Sequence, residues 1–93
     1  MFVVRVIEEG QEPDFRAFED QSSAQARFDE FSWRTLWDEE FESVTLFDVS
    51  GTTDPGEAID AVKRGDQSSV TLLLIAEPVS VAIANANRDE NVA

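Results

Sequence analysis

Cysteine, histidine and tyrosine are all absent from this 93-residue chain, and Lys63 is its only lysine. Without cysteine there is no disulfide, no thiolate metal site and no thiol nucleophile, a composition that fits a reducing compartment. Without histidine the usual transition-metal ligand and the commonest general base are both missing. Lys63 falls near the end of a predicted helix, where compensating the helix dipole is its expected job. Catalysis is left to carboxylates, and none of the many pairs among the twenty acidic residues stands out. A domain this small also has little volume for a deep pocket. The chain is therefore read as non-enzymatic and without a cofactor, a carboxylate-dependent enzyme being the last-ranked class.

Positive charge is scarce: seven basic residues stand against twenty acidic ones, a formal net charge of −13. Such a field repels nucleic acid phosphates and anionic lipid headgroups, so direct nucleic acid and membrane binding are both excluded. Long apolar runs are lacking too. Nothing approaches the roughly 18 residues of a membrane span, and the N-terminus enters a strand pattern with no charged and then apolar leader. The expectation is a soluble, cytoplasmic protein.

What the chain does have is apolar residues, 42% of the total with seven Phe and two Trp, enough to remove it from the disordered class. Its length makes one domain with one modest core. The domain is expected to span residues 1–84, with 85–93 a polar tail that frays or is disordered.

Phe2 to Ile7 alternates as a strand, apolar on one face and nearly so on the other. Turn formers and acids from Glu8 to Asp14 lead into a short second strand, Phe15 to Phe18, and so to a hairpin. Ser22 and Gln25 have the spacing of a capping box, and Ala24, Phe28 and Phe31 follow at helical intervals. At 100° per residue these three lie within about 60° of one another, whereas Trp33, Leu36, Trp37 and Phe41 form a second stripe nearly opposite. One straight helix cannot turn both stripes into one core. Either it breaks near Ser32 and the second half turns inward, or it is sandwiched between layers, or the second stripe faces a partner.

Ser43 to Val49 reads as a third strand. The helix after it is fully punctuated: Asp54 as cap, Pro55 at the first position, Glu57 in the first turn, Lys63 and Arg64 in the last, Gly65 as a left-handed stop. Val70 to Ala76 is the most hydrophobic run and predicts a central strand covered on both faces, joined to strand three by a parallel β-α-β crossover. Val79 to Ile83 alternates as a further strand. The fold class is α+β: a single small domain with a mixed sheet of four to five strands and two helices, in the order β-β-α-β-α-β, with the C-terminal strand unsettled.

Two loop motifs fail on inspection. Gly51 to Gly56 has the glycine spacing of a phosphate-binding loop, but Glu57 and Ala58 stand where lysine and a hydroxyl residue are needed. Asp48 to Asp54 resembles half a calcium loop, but Thr53 replaces its glycine and Ile59 its bidentate glutamate. Neither metal nor nucleotide is expected. The candidate partner-binding residues are Trp33, Leu36, Trp37, Asp38, Glu39, Glu40, Phe41 and Glu42, since aromatics beside acids suit a basic protein surface with apolar grooves.

The function expected is that of an acidic protein-binding module, an inhibitor or regulator of a basic protein and, in its sharpest form, a nucleic acid mimic. The alternative is a structural homo-oligomer, built on the aromatic stripe or on an exposed strand edge, whose acidity reflects solvation in a high-salt medium. Self-association is compatible with both.

Overall fold

The computed structural model describes residues 1–36 and 38–77. The expected strand at 79–83 and the tail at 85–93 lie outside the described residues, as does Trp37.

Strand β1 (Phe2–Glu8) runs through the middle of the sheet and is buried on both sides. Its odd and even residues enter different cores, Val3 one and Val4 and Val6 the other. The turn after it uses Gly10 at φ 75° and delivers β2 (Asp14–Phe18), paired antiparallel with Phe2 opposite Phe18 and Val6 opposite Asp14.

Helix α1 (Gln21–Ser32) begins two residues earlier than a Ser22–Gln25 box implies. Asp20 is the cap, and its carboxylate accepts from the Ser23 backbone N–H at 2.9 Å and from the hydroxyls of Ser22 and Ser23 at 2.7 and 2.9 Å. A charged acceptor at the positive end of the helix outcompetes a hydroxyl, so the serines become donors to it. The Ser22 hydroxyl above all holds the Asp20 carboxyl below the usual aspartate range. Gln25 instead donates to Asp29 one turn on, at 2.9 Å.

The helix ends at Ser32, where the two opposed stripes predict a break, and a 3-10 turn covers Trp33–Leu36. Hydroxyls compete for carbonyls here: Ser32 donates to the Asp29 carbonyl at 3.0 Å and Thr35 to that of Ser32 at 2.7 Å. The break does not turn the whole second stripe inward. Trp33 and Leu36 stay 67% and 72% exposed, while Phe41 is carried into the core by the strand that follows.

That strand, β3 (Phe41–Val49), pairs antiparallel with the other side of β1 and starts earlier than its sequence pattern suggests. Helix α2 (Pro55–Arg64) carries the predicted punctuation. Asp54 accepts from the Glu57 N–H at 2.9 Å, Pro55 opens the helix, and Gly65 closes it at φ 69°. Beyond it β4 (Val70–Ala76) completes a four-stranded sheet in the order β2-β1-β3-β4.

Two expectations for β4 are overturned. Its pairing with β3 is antiparallel, so the described sheet is antiparallel throughout rather than mixed. Gly65 and the turn at Asp66 reverse the chain, and β4 starts beside the end of β3, with Ser50 N–H donating to the Ser69 carbonyl at 2.8 Å. Among the described residues β4 is also the edge strand of the sheet, not the covered spine that its hydrophobicity predicts.

The two helices cover opposite faces of β1 and β3. On one face Ala24 and Phe28 of α1 pack with Val4, Val6, Val44, Leu46 and Phe41. On the other Ala58, Ala61 and Val62 of α2 pack with Val3, Phe47 and Val49. Lys63 reaches from α2 toward β2, its ammonium 5.1 Å from the centre of the Phe15 ring. The α+β class and the element order through β4 agree with the sequence reading.

Candidate acidic and aromatic surface

Among the predicted binding residues, Trp33, Leu36, Glu39, Glu40 and Glu42 are exposed, and Asp38 is half-buried. Phe41 is not part of that surface. It is almost wholly buried, stacked nearly parallel on Phe31 at 6.4 Å between ring centres, so it holds β3 to α1.

The centre of the site is a residue outside the predicted set. Arg34 donates through Nη2 to Asp38 Oδ2 at 2.6 Å, through Nε to the same oxygen at 3.0 Å, and through Nη1 to Glu8 Oε1. Its guanidinium also lies over the Phe41 ring, 5.1 Å from the centroid. One cation thus ties the end of β1 to the turn entering β3. The hydrogen bond to Asp38 leads in raising the Arg34 pKa, and the same bond, followed by the Glu40 backbone N–H, holds the Asp38 carboxyl below its ordinary range. Asp38 Oδ1 accepts that N–H at 3.0 Å, which folds the turn.

A backbone hydrogen bond completes the arrangement. Glu9 N–H donates to the Glu40 carbonyl at 2.7 Å, so the acidic turn after β1 lies against the acidic turn before β3. Sequence reading treats Glu8 to Asp14 as a solvated turn and Asp38 to Glu42 as a separate cluster. The fold brings Glu8, Glu9, Asp38, Glu39 and Glu40 to one end of the sheet, next to exposed Trp33 and Leu36. The i, i+4 spacing of Arg34 and Asp38 was the one local signal of this contact. The partnership with Glu8 joins residues 26 positions apart and leaves no local trace.

A hollow of about 410 Å³ lies elsewhere, beneath the loop with phosphate-like glycine spacing. Glu57, Asp60 and Asp66 line it, and among the described residues Arg64 is its one basic group. Thr52 there donates its hydroxyl to Glu57 at 2.8 Å and accepts the Asp54 N–H at 3.0 Å, so the loop is organised around capping α2. Three carboxylates make the hollow hostile to phosphate.

Among the described residues no group of three or more acidic side chains is placed to hold a metal ion. No helix among them is long and apolar enough to cross a membrane. Comparison of the chain with protein-family models, with curated proteins and with solved structures finds no match.

Proposed function

We propose that the protein works by binding rather than catalysis, as an acidic module that engages a basic protein surface. The observation that carries this reading is the meeting of two acidic turns beside an exposed Trp33 and Leu36. An interface needs desolvated anchors as well as charge, and aromatic side chains are the usual anchors. Carboxylates around them steer a basic partner and fix its orientation. Arg34 supports the reading from below, because it holds Glu8 and Asp38 in place while Glu9, Glu39 and Glu40 remain exposed. In the sharpest form these carboxylates stand in for phosphates, and the partner is a nucleic-acid-handling protein that the module inhibits or regulates.

Not all of the acidity belongs to this surface. Asp54, Glu57 and Asp60 on and around α2 are exposed as well, and such coverage is what solvation in a salt-rich medium calls for. The charge therefore divides into a local recognition part and a general solvating part.

The test is capture of basic proteins from native lysate at low salt, followed by competition between the captured protein's nucleic acid and the module. Retention should fall steeply as salt is raised, and the double variant Trp33→Ala, Leu36→Ala should lose it. That variant should shift unfolding stability by no more than about 0.5 kcal/mol, as expected of exposed positions. Retention indifferent to salt removes electrostatics as its basis, and a collapsed fold in the double variant places the two side chains in the core.

A further inference from the structure

We infer that β4 is a self-association edge, on which a second copy of this chain pairs antiparallel through its own β4. β4 has β3 on one side, and its other edge carries no strand among the described residues. Its ends are anchored, Val70 against the α2 core and Ala76 against the α1 core, but its middle is bare. Leu72, Leu73, Leu74 and Ile75 are 52%, 36%, 39% and 48% exposed.

A bulge makes this apolarity two-sided. Phe47 pairs with Leu72 and Leu46 with Leu74, so Leu73 is an extra residue and the alternation changes phase there. Leu72 shares the face of Phe47 with α2, and Leu74 the opposite face of Leu46 with α1. Together the four side chains expose on the order of a few hundred Å² of apolar surface, divided between the two faces of the strand. Beside Leu72 an open groove of about 250 Å³ has an apolar side of Phe47, Val62 and Val70 and a polar side of Arg5, Asp66 and Gln67.

Three considerations select a second copy as the occupant. No charged residue lies between Val70 and Ala76, so two copies meet along β4 without opposing like charges despite the −13 each carries. Isologous pairing about a two-fold axis satisfies both edges at once, and it leaves β2 as the outer edge of each copy. β2 carries Asp14 and Arg16 and follows Pro13, features that block strand addition, so assembly stops at a dimer with an eight-stranded sheet. The competing occupant is the chain's own segment after β4. A two-residue hairpin turn at Glu77-Pro78 is disfavoured, because it needs positive φ, which proline cannot adopt and glutamate resists, and a return through a longer loop is the outcome that exchange at low concentration tests.

The inference goes beyond partner binding, and salt separates the two. Binding to a basic partner weakens as salt rises, whereas pairing of two like-charged copies strengthens as their repulsion is screened. Sedimentation of the full chain over a range of concentration should show a monomer–dimer equilibrium that tightens by about tenfold from low to half-molar salt. Hydrogen exchange should find β4 amides protected in the dimer and open in the dilute monomer. Replacing Leu73→Lys and Ile75→Lys together should weaken association by about tenfold or more through like charges across the pair. Should that variant unfold, exchange on the unaltered chain as a function of concentration decides alone. A single monomeric species at every salt and concentration overturns the inference. So does β4 protection independent of concentration, which assigns the edge to the chain's own residues. A dimer whose β4 amides stay open overturns it as well, by placing the contact elsewhere.

Discussion

The two edges of the sheet are built from opposite materials. β2 is short, carries Asp14 and Arg16, and has helices packed against it on both faces. An acid and a base project from it, and Asp14 accepts from Arg27 of α1 at 2.8 Å. β4 is seven residues long, uncharged, and bare along its middle on both faces. In a monomeric protein the apolar strand belongs inside and the charged one at the rim. Here hydrophobicity alone does not set position. Where the helices lie does: α1 lies over β1 and β3, and α2 lies chiefly over β2 with β1 and β3 beside it. A strand is covered only if something is placed above it, and α2 leans toward β2, away from the middle of β4.

The largest test of this contrast uses two leucines paired directly across β3 and β4, Leu46 and Leu74. Leu46→Ala removes a fully buried side chain and should cost about 2–5 kcal/mol in denaturant unfolding. Leu74→Ala in dilute solution should cost about 1 kcal/mol or less, since much of that side chain already meets water. Equal losses would show that β4 is covered and would end the comparison.

A smaller effect comes from the two left-handed glycines that launch the edges, Gly10 before β2 at φ 75° and Gly65 before β4 at φ 69°. An alanine Cβ meets nothing within 4 Å at either site, so only backbone strain is at stake, about 1–2 kcal/mol each. Similar global losses are expected. Amide exchange should separate them, opening β2 in Gly10→Ala and β4 in Gly65→Ala.

The smallest effect is acid sensitivity at the root of the open edge. The Ser68 hydroxyl above all, with the Ser68 N–H, holds the Asp66 carboxyl below the usual aspartate range. The unfolded chain then binds the proton first on acidification. Stability from Asp66 is fully present above about pH 4 and is lost as pH falls through the folded-state value. Asp66→Asn should therefore lose less stability than the unaltered chain between about pH 4 and pH 2 in thermal melts. An identical acid response would remove Asp66 from the turn's anchorage.

The parts of this fold that were legible in the sequence are those set by neighbours along the chain. The Asp54, Pro55 and Gly65 punctuation of α2 holds at each position, and the expected β1 to β2 hairpin forms. The break at Ser32 follows from two stripes that no straight helix can bury together. Failures begin where a distant residue decides. A run of Val, Thr, Leu and Ile reads the same whether or not a helix lies above it, so β4 was placed in the centre. Phe41 was grouped with Trp33 by helical spacing, but the chain is extended by then and alternation takes over. Asp20 displaced Ser22 as cap because charge outranks a hydroxyl at a helix start. Of the acidic and aromatic surface, Trp33, Leu36, Glu39 and Glu40 are residues the sequence singles out, though not their exposure. Arg34's bond to Glu8 and the meeting of the two acidic turns could not be named in advance, since sheet register creates both.

The ammonium of Lys63 over the Phe15 ring has a consequence for covalent chemistry. Every event on this sequence that requires a lysine side chain, whether side-chain acetylation or a lysine ubiquitin linkage, must use that one residue. It stands at the contact between α2 and the guarded strand β2, on the opposite side of the sheet order from β4. An amine-reactive reagent at that lysine therefore reports on the closed side of the molecule and leaves the open strand to be followed by other means.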